Sequence, residues 1–265
     1  MIKHDNIYSD LITIIIPTYN SGLYLKESLE SLKLQKKKAR ILIADGNSDD
    51  NSLEIINKFE KDLDIKIISK SDNGQSDALN KMINLVNTPY FLWFNSDDYL
   101  CPDAVYEFEN FLYNSQLEYP MVSADHYEFN KNGIIKHIYG SHQYTFHLSR
   151  GIWRGDFPSL IWNTQIVKTV GSLDKNIHFN MDQDLVHRIS NNSDNNPVCF
   201  HIPKTLSGFR IHNLSKTTGD LFLDKIKTEK LNYEKRYALN MCDFVIGKLI
   251  YYFLSPRIFF KKLKI

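Results

Sequence analysis

The chain has little cysteine, and what it has is scattered. Its 265 residues include three cysteines, Cys101, Cys199 and Cys242, and none of them belongs to a C-x-x-C pair. An odd number of widely separated cysteines argues against a disulfide framework and against a zinc site, and it fits a reducing compartment. We therefore expect a cytoplasmic protein.

Glycine-rich phosphate motifs are also missing. No G-x-G-x-x-G follows the first predicted strand, which argues against a Rossmann dinucleotide site, and no P-loop sequence is present. No run reaches the roughly 18 apolar residues of a membrane span. The formal net charge is +1, which argues against a protein built mainly to bind nucleic acid.

What the chain does have is an alternation of strand and helix patterns over its first hundred residues. Buried strands are predicted at Leu11–Pro17, Ala39–Ala44, Ile65–Ser69 and Tyr90–Asn95. The helices predicted between them are Leu25–Leu32, Ser52–Phe59 and Gln75–Asn87. This alternation predicts an α/β fold with a mostly parallel central sheet and helices on both faces. Right-handed crossovers would then place the loops after all four strands at one edge.

The second half is less regular. Its predicted elements are a helix at Pro102–Asn114, a strand at Met121–Ala124, a hairpin at Tyr127–Ile138, a helix at Asp182–Ile189, two strands at Val198–Ile202 and Thr205–Ile211, and a long helical tail from Gly219. We expect one catalytic domain at 1–215. It would have a nucleotide-binding half at about 11–100 and an acceptor and catalytic half at 101–215, followed by a helical tail at 216–265.

Acidic side chains follow the predicted strands. Asp97 and Asp98 come directly after an apolar run, and burying two like charges is costly unless a cation lies nearby. Ligands of open α/β sheets bind beyond the carboxyl ends of strands. Asp98 could hold Mg²⁺ or Mn²⁺, which prefer oxygen ligands and bridge to phosphates. Asp45, after the second strand, could accept a hydrogen bond from a base. A polar turn before a helix is the alternative interpretation of the Asp97–Asp98 pair.

Five stretches together carry a resemblance to a known family. In chain order they are Thr13–Asn20, Ile43–Asp49, Asp72–Asn80, Asn95–Asp98 and Met181–Leu185. In this order and spacing they resemble the family 2 glycosyltransferases of bacterial polysaccharide, O-antigen and capsule biosynthesis, which have the GT-A fold. The resemblance covers roughly residues 11–215.

The resemblance implies a role for several residues. The nucleotide base would be held by Asp45 and by the loop residues Pro17, Thr18 and Tyr19, and the ribose by Asp97. Asp98 would bind a Mn²⁺ or Mg²⁺ ion on the donor diphosphate. Asp182 would be the catalytic base of a single displacement that inverts the anomeric centre. A carboxylate that takes the acceptor proton contributes roughly 10²–10⁴-fold to such a reaction.

Further candidates come from their position in the sequence. Asp77, early in its helix, is a candidate donor contact. Arg210 and His212 lie at the end of a strand, where Arg210 could pair with the diphosphate and His212 could complete the metal shell. An acceptor wall is predicted at Trp153, Arg154 and Asp156, because aromatic faces stack on sugars and carboxylates bind hydroxyls; the alternative there is a packed irregular loop.

The chain departs from the family pattern at three positions. Ala44 and Leu79 stand where many members have Asp and Arg, and Met181 stands where Glu often precedes the catalytic Asp. Because of the last departure, Asp184 is the second candidate for the base beside Asp182.

The predicted function is transfer of a sugar from a nucleotide donor, UDP-linked, to a glycan or a lipid-diphosphate-linked saccharide. Two other functions stay open: a sugar-1-phosphate nucleotidylyltransferase, and a non-catalytic glycan-binding or assembly subunit. The tail has no acid after Asp243 but has five bases among aromatic residues. It could lie on the inner face of the cytoplasmic membrane, pack on the core, or form a dimer contact.

Overall fold

The computed structural model describes residues 7–115, 118–153, 158–194, 197–216 and 222–239, and four single residues beyond them. The strands in these ranges are β1 (Tyr8–Thr18), β2 (Lys38–Asp45), β3 (Ile65–Ser69), β4 (Tyr90–Trp93), β5 (Tyr99–Leu100), β6 (Met121–Asn130), β7 (Gly133–Ile138), β8 (Leu160–Asn163) and β9 (Cys199–Arg210). The helices are α1 (Leu25–Lys33), α2 (Ser52–Phe59), α3 (Gln75–Leu85), α4 (Ala104–Asn114), α5 (Thr145–Leu148), α6 (Thr164–Thr169), α7 (Met181–Asn191) and α8 (Leu223–Arg236).

The strands form one sheet in the order β3-β2-β1-β4-β8-β6-β9-β5, and β7 pairs with β6 outside this path. The four strands of the first half are parallel neighbours, as predicted. In the second half β8 is antiparallel to β4 and β6, while β9 is parallel to β6. The carboxyl ends of β1 to β4 therefore share one edge of the sheet.

Two apolar clusters cover the two faces of the sheet. Ile14 and Ile16 of β1 join the cluster that includes α1, α2 and α4, whereas Ile15 joins the one that includes α3, α6 and α7. Successive side chains of a strand point to opposite faces. Strand β1 is thus buried on both sides, which is why its sequence is a continuous apolar run rather than an alternating one.

The structure differs from the sequence predictions in several elements, most clearly around β8 and β9. Strand β8 and helix α6 were not predicted, because a four-residue strand running directly into a short helix has no measurable period. The two strands predicted around Pro203 are a single strand, β9. The register of β9 against β6 is irregular between Ile202 and Thr205, and this irregularity accommodates a proline that has no amide hydrogen to donate.

Of the predicted helical tail, the structure describes helix α8 and a few residues beyond it. Helix α8 ends at Arg236, and Ala238 has a left-handed φ of 49°. Of the helices that the structure describes, none combines the length and apolarity needed to cross a bilayer. Most of the aromatic and basic tail lies outside the described residues.

Candidate active site

The predicted donor residue Asp45 lies at the edge where the parallel strands end. It closes β2 between Thr18 of β1 and Ser69 of β3, and it is 1% exposed. Its carboxylate accepts hydrogen bonds from the Ser48 hydroxyl at 2.5 Å, from the Ser69 hydroxyl at 2.6 Å and from the Ser48 backbone amide at 3.2 Å. These three donors fix Asp45 in place and occupy most of the roughly four acceptor positions of a carboxylate.

The loops after β1 and β2 are tied to each other. Asn20 has a left-handed φ of 47°. Its backbone amide donates to the Ser48 hydroxyl at 2.9 Å, and its side-chain oxygen accepts from the Asp49 backbone amide at 3.0 Å. The Gly22 amide donates to the Asp50 carboxylate at 2.9 Å. Asparagine tolerates the left-handed conformation better than most residues. These contacts form one rigid rim at the crevice.

The three predicted loop residues have unequal exposure. Pro17 and Thr18 are buried at the end of β1, whereas Tyr19 is 64% exposed. A Cβ atom added to Gly46 would come within 3.2 Å of the Tyr19 ring and 3.1 Å of the Asp72 carboxylate. The glycine therefore lets Tyr19 lie close against the loop after β2, where its ring faces solvent beside Asp45.

Asp98 is fully buried, and its carboxylate is held by the chain around it. One oxygen accepts a hydrogen bond from the Arg210 backbone amide at 3.0 Å, and the other from the Asn95 side-chain amide at 3.2 Å. The hydroxyl of Ser28 in α1 donates to the Asp98 carbonyl at 2.5 Å. Burial and the nearby charge of Asp97 raise the pKa of Asp98 well above its usual value.

Arg210 fastens the same loop from β9. Its Nε donates to the Asp97 carbonyl at 2.7 Å, and its guanidinium pairs with Glu27 at 2.6 Å. The guanidinium lies over the rings of Tyr24 and Phe129, at 4.7 and 4.5 Å from their centroids. Arg210 is 6% exposed, so its described contacts hold the loop that carries the two carboxylates.

His212, the predicted addition to the metal shell, lies beside Asp97. Its Nε2 is 2.8 Å from an Asp97 carboxylate oxygen, and its ring is 4.5 Å from that of Tyr24. The Asp97 side chain is 28% exposed and the His212 side chain 12%. Of the two adjacent acids, Asp97 is thus the one that faces the crevice.

The residues present fit a divalent cation that takes some of its ligands from the protein and the others from substrate phosphates. Among the described residues, no group of three or more His, Cys, Asp or Glu side chains could hold a metal alone. Magnesium-type sites need only one or two carboxylates when substrate phosphates supply the other oxygens. The Arg210 charge offsets part of the cost of burying Asp98 next to Asp97. A cation at the more exposed Asp97 would offset more, and His212 beside Asp97 adds a ligand that Mn²⁺ accepts.

Asp182 lies in the first turn of α7 and is partly exposed. Desolvation raises the pKa of its carboxyl to about 6, against the lowering effect of neighbouring backbone amides and of the Lys216 charge. Burial in turn lowers the pKa of Lys216. A carboxylate with a pKa near 6 is ionised at neutral pH and is also a stronger base than an ordinary aspartate.

A chain of polar contacts leads from Lys216, whose charge acts on Asp182, to the loop with the two carboxylates. The Lys216 ammonium donates to the Gln75 side-chain oxygen at 3.3 Å, and the Gln75 amide donates to the Asn95 oxygen at 3.2 Å. Asn95 in turn donates to Asp98. Sequence reasoning gave Gln75, Asn95 and Lys216 no role. The position of Gln75 at the start of α3, next to the loop after β3, was the available signal.

Two other predicted acids are engaged in ion pairs. The Asp77 carboxylate contacts Lys175 at 2.6 Å and Lys81 at 3.1 Å. The hydrogen bond from Lys175 is the largest effect that lowers the pKa of Asp77 to about 2. Asp184, the second candidate base, is fully buried and pairs with Arg188 at 2.9 Å and Arg236 at 3.0 Å. These contacts favour Asp182 over Asp184 as the base.

The predicted acceptor wall is only partly described. Trp153 is half-buried and packs against the apolar cluster that contains Met181. Arg154 and Asp156 lie outside the described residues. The acceptor role of this segment stays a prediction.

The three departures from the family pattern share one environment. Ala44, Leu79 and Met181 are buried, at 4%, 0% and 5% exposure, and all belong to the same apolar cluster. The Met181 sulfur also accepts a hydrogen bond from the Ser76 hydroxyl at 2.8 Å. Apolar residues at these positions therefore belong to the packing of α3 and α7 on β2.

Comparisons with known proteins agree with this geometry. A family model described as Glycosyl transferase family 2 matches residues 13–166. Similar curated proteins include an uncharacterized glycosyltransferase of Rickettsia prowazekii, 33% identical over 38% of this chain and 31% of its own length. Poly(ribitol-phosphate) beta-glucosyltransferase of Bacillus spizizenii is 33% identical over 40% of this chain and 18% of its own length. Chondroitin synthase of Pasteurella multocida is 35% identical over 36% of this chain and 10% of its own length. The matched segments thus span less than a third of these relatives.

Solved structures show the same fold. S. aureus TarS 1-349 in complex with UDP-GlcNAc superposes with a TM-score of 0.60 and 19% identity, over 76% of this chain and 59% of that chain. Mannosyltransferase PcManGT of Pyrobaculum calidifontis, in complex with GDP-Man and Mn²⁺, gives a TM-score of 0.57 and 13% identity, over 77% of this chain and 58% of that chain. With more than half of its length matched by the family model, this chain belongs to glycosyl transferase family 2 and has the GT-A fold.

Proposed function

We propose that this protein is an inverting, metal-dependent glycosyltransferase that uses a UDP-linked sugar as its donor. The observation that supports this most is the base Asp182, with its raised pKa, together with the chain of contacts that leads from Lys216, whose charge acts on this base, through Gln75 and Asn95 to the buried carboxylate of Asp98. One separate carboxylate for the acceptor and one acidic pair for the donor are the minimum that a single displacement requires.

In the proposed reaction, Asp182 accepts the proton of the acceptor hydroxyl as that oxygen bonds to the anomeric carbon. The bond between this carbon and the donor diphosphate breaks on the opposite face, so the configuration inverts. Asp98, with Asp97 and His212 beside it, would hold Mn²⁺ or Mg²⁺, which supplies charge stabilisation of the leaving diphosphate. Asp45, Tyr19 and the end of β1 would orient the nucleotide, and Arg210 would keep the Asp97–Asp98 loop in place.

A glycan or a lipid-diphosphate-linked saccharide is the acceptor that we propose. The relatives named as chondroitin synthase and poly(ribitol-phosphate) beta-glucosyltransferase support a polymeric acceptor. The basic and aromatic sequence after Asp243 supports contact with an anionic membrane surface. A protein located in the cytoplasm, at the inner face of that membrane, would meet both donor and acceptor.

The donor proposal is tested with purified protein. Thermal shifts with UDP or GDP in the presence of Mn²⁺ identify the nucleotide base that the protein binds. Hydrolysis of UDP-GlcNAc, UDP-glucose and GDP-mannose then measures turnover. We expect Asp98→Ala to abolish hydrolysis while the fold survives, and the surface variant Asp62→Ala to behave as wild type. Undiminished turnover in EDTA would refute the metal role, and no turnover with any donor would favour a non-catalytic subunit.

The base is tested separately. Asp182→Asn should leave UDP binding unchanged and lower turnover roughly 10²–10⁴-fold, because the amide cannot take a proton. If Asp182→Asn also lost UDP binding, this residue would belong to the donor site instead.

A further inference from the structure

Helix α8 lies outside the part of the chain that the family model matches, yet it contacts the backbone immediately before Asp182. The carboxylate of Glu229 in α8 accepts hydrogen bonds from three consecutive backbone amides. The distances to its nearer oxygen are 3.0 Å from His178, 2.7 Å from Phe179 and 3.3 Å from Asn180. The next residue, Met181, is the first of α7.

This contact holds the residues immediately before α7. Its three amides belong to the two residues before the N-cap and to the N-cap residue Asn180, whose own side chain forms no capping bond to α7. Successive amides that converge on one point bind a carboxylate or another anion well. A negative charge at this end is also favoured by the helix dipole. Glu229 therefore fixes the direction in which the chain enters α7.

Further along, α8 holds the other side of the same helix. Arg236 and the Tyr237 hydroxyl contact the Asp184 carboxylate at 3.0 and 2.7 Å. The Tyr237 ring stacks on His187 with 3.7 Å between centroids. Asp182 and Asp184 lie two positions apart, so they project in different directions from α7. The buried Asp184 faces α8, so Asp182 projects from a different side of α7, toward the crevice.

We propose that Glu229 is a positioning residue for the base, and that α8 belongs to the catalytic unit rather than to a dispensable tail. The side chain does not touch the reacting atoms. It sets the backbone at 178–180, and this backbone sets where the Asp182 carboxylate meets the acceptor. This inference rests on the proposed base role of Asp182.

The expected effect of removing Glu229 is on the chemical step. A misplacement of about 1 Å can cost on the order of 10²-fold, so we expect kcat of Glu229→Ala to fall about 10- to 100-fold. Donor contacts lie on β1, β2 and the Asp97–Asp98 loop, so KM for the nucleotide sugar should stay within about twofold. His178 is exposed, so water can replace part of the lost hydrogen bonding and the fold should survive.

The experiment measures kcat and KM for hydrolysis of the best donor from the panel above, using the full chain. Glu229→Gln keeps one acceptor oxygen and should lose less activity than Glu229→Ala, and it serves as the test if the alanine variant does not fold. Glu234→Ala is the matched control on α8, because its carboxylate contacts none of the amides at 178–180 within the described chain. It should keep wild-type kinetics.

A double variant separates positioning from general damage. If Glu229 acts through Asp182, adding Glu229→Ala to Asp182→Asn should not lower the remaining activity further. The positioning role alone would be overturned if Glu229→Ala lowered kcat of Asp182→Asn by the same factor as it lowers kcat of the wild type. Wild-type kcat in both Glu229 variants would overturn it as well. Wild-type activity in Asp182→Asn would overturn the base role and the positioning role with it.

Discussion

The pH dependence of turnover gives the sharpest test of the catalytic base. The Asp182 carboxyl has a pKa of about 6, raised by desolvation from the usual 3.8. A base acts only when it is deprotonated, so turnover should fall as the pH decreases through about 6. About 90% of the base is ionised at pH 7 and about 10% at pH 5, so the rate should fall about tenfold per pH unit below the pKa.

Lys216 provides a way to move this pH dependence. Its positive charge lowers the pKa of Asp182, so Lys216→Met should shift the acidic limb of the profile to higher pH. The matched control is Lys204→Met on the exposed part of β9, where the lysine pairs with Glu107 at 2.6 Å; it should leave the profile unchanged.

The assay is kcat/KM for nucleotide-sugar hydrolysis from pH 4.5 to 8.5 at constant Mn²⁺, a range of about two units around the expected midpoint. The assignment of the acidic limb of the pH profile to Asp182 would be refuted if this limb did not move in Lys216→Met. It would also be refuted if the limb persisted in the residual activity of Asp182→Asn.

Two further predictions concern a buried ion pair of the fold and the loop with the two carboxylates. Lys37→Met leaves the 2%-exposed Glu109 carboxylate without its 3.0 Å partner, and should cost about 3–5 kcal/mol in urea unfolding. Lys36→Met removes an exposed pair and should cost far less stability than Lys37→Met, because solvent screens an exposed pair; equal costs would contradict the buried-pair argument. Arg210→Lys loses the Nε hydrogen bond to the Asp97 carbonyl and should weaken UDP–Mn²⁺ binding about tenfold, measured by calorimetry; unchanged affinity would show that the loop holds its shape alone.

The accuracy of the sequence predictions follows the range of the interactions involved. Helix α2 and strand β3 were predicted with their observed bounds, because hydrophobic periodicity and turn residues are local signals. Strands β5 and β8 were missed, since two and four residues carry no period and owe their form to pairing with β9, β4 and β6. The break at Pro203 was visible in the sequence, but only the register against β6 shows that it interrupts one strand rather than separating two.

The alternation of strands and helices was enough to predict the parallel half of the sheet, and with it the edge that carries Tyr19, Asp45 and Asp97. That edge follows from the fixed hand of the connections between parallel strands. Which of the acids have other partners is visible in the folded chain alone. Asp98 is bound by the amide of Arg210, 112 residues away, and Asp184 by Arg236. The contact of Glu229 with the residues before α7 is likewise visible only in the tertiary structure. These contacts join segments far apart in the chain, and side-chain charge and burial depend on such neighbours rather than on any local pattern.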